Sequence, residues 1–333
     1  MFVQWLHLYE LNDRLLGSML AALGENFSDY RLYMLNRSDI ALVAVAEGRV
    51  PGIGPLPHDE KAFLQDLGRI GITREYEISA RAVGDKAEMG TLFASFAPPV
   101  NSDFRPYVQL EATRARFVET SAKALFDLAQ APLPILEMAG GTAPVYLRDR
   151  PGAVESSLPV LIQSLALELA HGLTDRSANP LDASNERLRT ALLVLKRPGA
   201  LCGTEPSRAA IEQLQWAAEV TLAHLAPAPR QALWVEPKWI GCAPGSVSAK
   251  LRGRLQVYAA IAQRDAHAML ERAGALLAGS GGEDRDWRRF LLLTAMLGAQ
   301  ASAEHEKARQ LWSAYASALY APAEIPSYTA YLR

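Results

Sequence analysis

The hydrophobic pattern at the start of the chain predicts one strand, one helix and one hairpin. Residues 2–8 are mostly apolar, as in strands that are buried on both faces of a parallel sheet. Behind the N-cap signal Asn12-Asp13, apolar residues recur at helical spacing: Leu15, Leu16, Met19, Leu20, Leu23 and Phe27. Two β-rich runs, 30–35 and 39–46, flank a polar turn and predict an antiparallel hairpin. This order is typical of the end of an α/β sheet whose last strand is inserted antiparallel.

An apolar strand at residues 2–8 needs a neighbour on each side or a position at the sheet edge, and the sequence leaves both possibilities open. In the first case, strands upstream of residue 2 are missing from the given chain. We then expect Phe2, Trp5, Leu6 and Leu8 to be exposed. The sheet would lean on the helical region, pair through its edge with a second copy or another protein, or aggregate.

The rest of the pattern is mainly helical. A Pro-rich run at 51–57 predicts a loop, with helices near 59–70 and 87–96 and a short strand at 107–111. Further helices are expected near 117–130, 158–171, 185–196, 206–225, 247–263, 266–277, 287–297 and 303–319. The sequence therefore predicts two domains, an α/β domain at residues 1–118 and an all-helical domain at residues 119–333.

The last helices contain a weak internal repeat. A shift of 35 residues places Arg254 on Arg289 and Ala273 on Ala308. Two helix pairs at this period are typical of a tetratricopeptide-like array. Amphipathic hairpins of equal length would give similar matches by chance, so both interpretations stay open.

Composition excludes some partners. The chain has 34 Lys and Arg against 36 Asp and Glu, so it lacks the basic excess expected of a nucleic-acid-binding protein. The longest apolar run, 40–46, is far shorter than the ~20 residues of a membrane-spanning helix. The two cysteines, Cys202 and Cys242, are outside any paired spacing. We therefore expect no disulfide framework and a reducing, cytoplasmic setting.

Two segments resemble spermidine synthases and the longer bacterial proteins related to them. The first is Gln4-Trp5-Leu6-His7-Leu8, and its similarity continues into the hairpin at 38–44. The second, at 101–107, is similar to the Asn-Thr-Asp-Asp-x-Pro segment of the bacterial group. The resemblance covers residues 1–115 and implies the closing end of a Rossmann-like sheet of the SAM-dependent methyltransferase fold. The family's activity is aminopropyl transfer in polyamine biosynthesis.

The same resemblance implies parts that this sequence does not show. In the family, a Gly-rich turn and an acidic residue hold decarboxylated S-adenosylmethionine, and an aspartate deprotonates the amine. All of these precede the Gln-Trp-Leu-His segment, which here stands almost directly after Met1. The glycines at 140–141 and 279–282 are expected in loops with no strand before them. We therefore expect an incomplete, inactive chain without a cofactor of its own, with a polyamine substrate only in full-length relatives.

Two other functions stay open. In the first, the region 119–333 is a non-enzymatic helical-repeat module that binds a protein partner. The aromatic run 234–239 then either forms the binding site or packs between helices. Alternatively, the chain would be a methyltransferase-like protein that a partner chain completes.

Few residues in the matched region suggest a site. Gln4 and Tyr9 are expected to line a substrate cleft at the carboxyl end of their strand, or else to pack at its edge. Asp103 is expected to bind substrate together with Arg105, or to form an exposed loop ion pair with it. His7 is expected to be a packed core histidine rather than a catalytic base.

Overall fold

The computed structural model describes residues 1–138, 144–149, 157–203, 205–243, 245–279 and 284–333. Gly140, Gly141, Gly281 and Gly282 lie outside the described residues, and so does the prediction made for them. Gly279 was also predicted to lie in a loop, and this is wrong, because it is the last residue of the helix Ala266–Gly279.

The described residues form a four-stranded sheet and a long series of helices. The strands are β1 (Phe2–His7), β2 (Asp29–Met34), β3 (Asp39–Val45) and β4 (Ala82–Asp85). The first helices are α1 (Asp13–Asn26), α2 (Lys61–Arg69), α3 (Glu75–Ser79), α4 (Lys86–Ala94), α5 (Tyr107–Phe117), α6 (Ala124–Ala129) and α7 (Ile135–Met138). The later helices are α8 (Leu158–Thr174), α9 (Glu186–Leu195), α10 (Arg208–His224), α11 (Pro227–Trp234), α12 (Ala249–Gln263), α13 (Ala266–Gly279), α14 (Arg285–Ala301) and α15 (His305–Leu319).

The sheet confirms the predicted strand and hairpin. Its strand order is β1-β3-β2-β4, with β3 between β1 and β2 and antiparallel to both. Ala41 of β3 lies opposite Trp5 on one side and Tyr33 on the other. β1 therefore has one neighbour among the described residues and is an edge strand, which is the second of the two possibilities that the sequence left open.

Side chains alternate between the two faces of the sheet. One face is covered by the rest of the protein, and the other is partly open. Leu32, Ile40 and Leu42 are fully buried on the covered face, in one cluster with Leu16 of α1. On the other face, Trp5 keeps 52% of its surface exposed. The prediction that residues 2–8 are buried on both faces is therefore wrong for β1.

The expected exposure of four apolar residues in this segment is only half right. Phe2 and Trp5 are exposed, but Phe2 stacks on Phe27 with ring centroids 5.4 Å apart. Leu6 is half-buried and Leu8 is fully buried. Leu8 differs because it lies just beyond β1, where its backbone carbonyl accepts a hydrogen bond from the backbone N–H of Ala122.

Two predictions around residues 107–130 are wrong. Residues 107–111 are not a strand, because they form the first turn of α5 after Pro106. Residues 117–130 are not one helix, because α5 ends at Phe117 and α6 begins only at Ala124. The break contains Glu119 at φ 51°, a left-handed backbone conformation that does not continue a right-handed helix.

Two further elements lie in segments for which the sequence predicted neither a helix nor a strand. β4 has only four residues and includes Gly84 at φ 151°, so it carries almost no alternating pattern. α11 begins directly at Pro227, two residues after the end of the helix predicted near 206–225. Proline suits the first position of a helix, since its missing N–H has no intrahelical partner there.

The two predicted domains share one core. A single cluster of buried residues extends from Leu8 to Leu332 and crosses residue 118. The backbone N–H of Ala124 donates to Oδ1 of Asp13 over 2.8 Å, which joins α6 to the start of α1. The division at residue 118 therefore separates types of secondary structure but does not separate two cores.

The last four helices pack in chain order, α12 on α13, α13 on α14 and α14 on α15. α13 and α14 approach each other closely at Gly298 of α14, where an added Cβ would lie 2.6 Å from the carbonyl oxygen of Ala266. The helices predicted near 247–263, 266–277, 287–297 and 303–319 are therefore confirmed, and the tetratricopeptide-like repeat stays a prediction. No helix in the described ranges is long and apolar enough to cross a membrane.

The cysteine prediction is wrong. Cys202 and Cys242 form a disulfide with Cα atoms 5.5 Å apart, across a separation of 40 residues in sequence. The bridge connects the segment after α9 to the segment after α11, and these segments meet only in the folded chain. The inference of a reducing compartment from unpaired cysteines therefore loses its basis.

Candidate functional site

The structure does not bring the three predicted site residues together. Gln4 lies in the middle of the edge strand, is exposed, and its Nε2 donates to the carbonyl oxygen of Trp5 over 2.7 Å. Tyr9 follows the strand, is 46% exposed and forms an isolated bridge with Ser121. Asp103 is exposed in the loop before α5. Backbone hydrogen bonds between Ser102 and Arg105 hold that loop.

His7 is not a core residue. It is half-buried between two aromatic rings, 5.8 Å from the ring centroid of Trp5 and 4.5 Å from that of Tyr9. Trp5 and His7 are two residues apart on β1 and so lie on its partly open face, and Tyr9 follows the strand and stacks on His7. This row of rings fixes the imidazole at the surface.

The aromatic run at 234–239 packs between helices. Trp234 is fully buried, and its Nε1 donates to Oγ1 of Thr221 over 2.8 Å. Its ring is edge-on to Trp239 at 5.8 Å, and Nε1 of Trp239 donates to the carbonyl oxygen of Leu233. These bonds occupy both indole N–H groups, as expected of packed tryptophans.

A cleft of about 710 Å³ lies in the helical region along α10. Residues of α8 and α9 line one wall, and residues of α14 and the C-terminal segment 320–328 line the other. The volume is within the range of ~300–1,000 Å³ that small-molecule sites have in proteins. This cleft is therefore the candidate functional site.

One face of α10 forms the floor of the cleft. Arg208, Glu212, Gln215 and Glu219 recur at spacings of four, three and four residues, which places them on one side of the helix. The opposite side carries the buried residues Ala210, Leu214, Ala217 and Ala218, which hold α10 in the core. Ser207 caps the helix by accepting the N–H of Ala210 at 3.2 Å. The polar face is consequently presented to the cavity.

Most charged groups of the cleft have charged or aromatic partners. At the mouth, Nε of Arg208 lies 2.7 Å from Oε1 of Glu212, and both side chains are largely exposed. The guanidinium of Arg187 lies over the ring of Trp216, 4.9 Å from its centroid. These contacts fix the cations at the rim.

The α14 wall is held by Arg289. Its guanidinium bonds to Glu324, lies 3.5 Å from Oδ1 of Asp286 and stacks over Tyr320 at 4.8 Å. The N–H of Ala321 and the charges of the neighbouring arginines lower the pKa of Glu324. Glu324 therefore remains ionised, and the C-terminal segment stays bonded to α14.

Glu219 is the acid inside the cleft. Its Oε1 accepts a hydrogen bond from Nε2 of Gln215 over 2.9 Å, and Oε1 of the same amide accepts one from the guanidinium of Arg254 at 3.4 Å. In the described ranges, no cation lies within ion-pair distance of Glu219 itself. Burial is the main reason that its pKa is raised, and the charge of Asp286 acts in the same direction. The hydrogen bond from Gln215 and the charge of Arg187 act against the shift.

His224 lines the inner end of the cleft. Burial lowers its pKa to about 4, with the charge of Arg264 acting in the same direction and a hydrogen bond with the backbone of Ala131 opposing it. The imidazole is therefore neutral at pH 7. The described residues contain no group of three or more His, Cys, Asp or Glu side chains suited to a metal ion. The lining of the cleft therefore combines the carboxyl group of Glu219 with aromatic side chains, and such groups can contact a bound organic molecule.

The sequence analysis missed this site. The polar spacing along α10 was available as a signal, since charged residues recur on one face of an otherwise apolar helix. On its own such a face is typical of solvent exposure. Only the approach of α14 and the C-terminal segment turns it into a cleft.

Comparisons with family models, with curated proteins and with solved structures find no match to this chain.

Proposed function

We propose that this chain is a spermidine-synthase-like protein of polyamine metabolism, in which β1, β2 and β3 form the closing end of a Rossmann-like sheet. The observation that carries the proposal is the position of β3 between β1 and β2 and antiparallel to both. β1 and β2 consequently run in the same direction, as parallel strands with an inserted last strand do. The segment Gln4-Trp5-Leu6-His7 lies on β1, which is where the resemblance expects a strand.

We further propose that the chain does not transfer aminopropyl groups by itself. Every pairing in the described sheet is antiparallel. In the described ranges, the one strand that runs directly into a helix is β4, which is followed by α4. β4 contains a single glycine, Gly84. The Gly-rich turn of the family supplies several backbone N–H groups to its donor. A four-residue strand with one glycine does not reproduce it.

Two assays of the whole chain test the catalytic part of the proposal. We expect calorimetric titration with decarboxylated S-adenosylmethionine to show no binding. We also expect no release of methylthioadenosine when putrescine is added. A dissociation constant in the micromolar range for this donor contradicts the proposal, provided that the protein gives a cooperative thermal melt.

The coding DNA upstream of Met1 tests the family assignment. An in-frame extension that encodes a strand, a Gly-rich turn and an acidic residue supports the assignment. An extension with an unrelated pattern of residues counts against the assignment.

A second candidate function is a non-enzymatic helical module in residues 119–333. The observation that favours it is the succession of α12, α13, α14 and α15 as helices packed in chain order, which is typical of repeat proteins. Separate expression of residues 1–118 and 119–333 distinguishes the two roles. A helical module keeps a cooperative melt on its own, whereas we expect residues 1–118 to lose theirs, because Leu8 and Asp13 bond to Ala122 and Ala124 beyond the cut.

Self-association through β1 belongs to the same proposal. Among the described residues, no strand pairs with the outer edge of β1, so its backbone groups there can pair with another strand, and Val3 and Trp5 are exposed beside it. Sedimentation of the wild type and of Val3→Lys measures it. A monomer at all concentrations excludes this partner.

Cytoplasmic localisation accompanies polyamine metabolism in this proposal. The disulfide counts against it, because cytosolic thiols are usually kept reduced. Alkylation of thiols at the moment of cell lysis decides the matter. Two free cysteines support a cytoplasmic protein, and none contradicts it.

A further inference from the structure

We propose that the cleft along α10 binds an organic cation, a primary ammonium group on an apolar or aromatic body, and that the carboxylate of Glu219 receives the ammonium. The inference concerns the helical part of the chain. It is independent of the polyamine assignment, which rests on the sheet.

The first argument is that, in the described ranges, Glu219 has no ion-pair partner of its own. Its hydrogen-bond donor is the neutral amide of Gln215, whose Oε1 in turn accepts a hydrogen bond from the buried guanidinium of Arg254 at 3.4 Å. The charges of Asp286 and Arg187 act on Glu219 in opposite directions, and the guanidinium of Arg187 lies over the ring of Trp216 rather than against the carboxylate. Removing a carboxylate from water without a cation costs free energy, and a bound ammonium group offsets that cost through a charge-assisted hydrogen bond.

The second argument is the charge of the lining. Five carboxylates face the cleft, from Glu212, Glu219, Asp284, Asp286 and Glu324, against three guanidinium groups, from Arg187, Arg208 and Arg289. Arg208 bonds to Glu212 and Arg289 bonds to Glu324, so these two arginines do not neutralise Glu219. Arg285, which is not part of the lining, also bonds to Glu324, and Asp286 lies beside Arg289. In the described ranges, the lining carboxylates without an ion-pair partner are therefore Glu219 and Asp284, and they favour a cation over an anion.

The third argument is the nature of the walls. Trp216, Phe290, Tyr320 and Tyr328 line the cavity together with Ile162 and Leu165. Aromatic faces attract ammonium groups, and the apolar walls bury a carbon skeleton. An inorganic cation would instead need several oxygen ligands, and the described residues form no such group. The walls therefore favour an organic ligand.

Calorimetric titration of the whole chain with tryptamine and with tryptophol tests the inference. The two probes have the same indole body, and tryptophol has a neutral hydroxyl in place of the ammonium. We expect tryptamine to bind, and the affinity of tryptophol to be lower by a factor of at least about ten. A hydrogen bond between charged groups is roughly twice as strong as a neutral one. Equal affinities, or no binding of tryptamine to the folded chain, would overturn the inference.

The variant Glu219→Gln identifies the residue. Glutamine keeps the shape and can still bond to Gln215, so we expect it to fold and to bind tryptamine no better than tryptophol. The matched control is Glu306→Gln on α15, which removes an exposed acid outside the cleft and is expected to keep the wild-type preference. Retention of the preference for tryptamine in Glu219→Gln, or its loss in Glu306→Gln, contradicts the assignment.

The thermal melt separates a ligand-binding acid from a structural one. An isolated carboxylate in the cleft destabilises the unliganded chain, so we expect Glu219→Gln to melt at the same temperature as the wild type or above it. Tryptamine should raise the melting temperature of the wild type and not that of the variant. A strongly lowered melting temperature of the variant shows that Glu219 is structural.

Discussion

Cys202 and Cys242 are 40 residues apart in the sequence and form a disulfide that encloses α10 and α11. The loop that it closes contains the floor of the cleft. A bridge across a loop of this length restricts the unfolded chain, with an expected effect of about 4 kcal/mol in the chain-entropy treatment.

We therefore expect the double variant C202S/C242S to melt at a lower temperature than the oxidised wild type. Denaturant titration measures the difference in the free energy of unfolding, which we expect to be no larger than about 4 kcal/mol. Adding a reductant should lower the stability of the wild type and leave the double variant unchanged. Equal stability of the oxidised and reduced wild type would contradict the prediction.

Glu88 makes stability depend on pH. Its side chain is buried at the start of α4, where Oε2 accepts the N–H of Asp85 over 2.9 Å. Burial raises its pKa to about 7, with opposing contributions from the hydrogen bond of Asp85 and the charge of Arg31. At a pH between the ordinary pKa of a glutamate and about 7, the carboxyl group of Glu88 is ionised in the unfolded chain and protonated in the folded chain. Stability due to this group therefore falls as the pH rises through that window, by up to about 3 kcal/mol.

Glu88→Gln tests this directly, since glutamine also serves in a capping box. The variant does not titrate at this position, so its free energy of unfolding relative to the wild type should be higher at about pH 8 than at about pH 5. Denaturant titration at each pH measures this difference. Glu271→Gln on the exposed side of α13 is the control and should follow the wild type at both values. A constant difference between Glu88→Gln and the wild type contradicts the shift.

Glu137 joins three parts of the helical region. Its carboxylate accepts bonds from Arg230 at 3.1 and 3.2 Å, from Arg264, and from the hydroxyl of Tyr146 at 2.7 Å. Burial by itself would raise its pKa, and the bonds and charges of these partners outweigh burial, so the pKa is lowered. The guanidinium of Arg230 is 1% exposed and depends on this carboxylate.

Glu137→Gln should lower the free energy of unfolding by about 3 kcal/mol, because it leaves a buried cation without its counter-charge. The control Glu236→Gln removes an acid from an exposed pair with Lys238 and should change stability by less than about 0.5 kcal/mol. Thermal or chemical denaturation of both variants provides the measurement. Similar losses in the two would show that the Glu137 cluster contributes little.

Gly298 sets the distance between α13 and α14. A Cβ at this position would lie 2.6 Å from the carbonyl oxygen of Ala266 and 2.7 Å from the backbone nitrogen of Leu270. We expect Gly298→Ala to destabilise the chain by about 1–3 kcal/mol, because backbone atoms must move apart.

Gly274 is the matched control for this change. It lies within α13, and an added Cβ would meet nothing within 4 Å. Gly274→Ala should raise stability by about 0.5–1 kcal/mol, since alanine restricts the unfolded chain. Calorimetric melts of the two variants should therefore shift in opposite directions, and a shared direction contradicts the proposed crossing.

The sequence by itself determined the elements whose signal is local. Alternating apolar residues specified the hairpin of β2 and β3, and helical periodicity specified helices such as α9, α10 and α12 to within a few residues. Where the local signal was short, it failed. Residues 107–111 were too few to distinguish a strand from the first turn of α5, and the four residues of β4 gave almost no pattern.

Only the tertiary structure decided the pairings and the site. Whether β1 is central or at the edge depends on which strands lie beside it, and the pairing of Cys202 with Cys242 depends on two loops that meet only after folding. The cleft needs α8, α10, α14 and the segment 320–328 together, because Glu219 becomes an isolated acid only when its neighbours exclude water. Burial and charge environment are properties of the packed chain, so the residue type and its spacing along α10 did not reveal them.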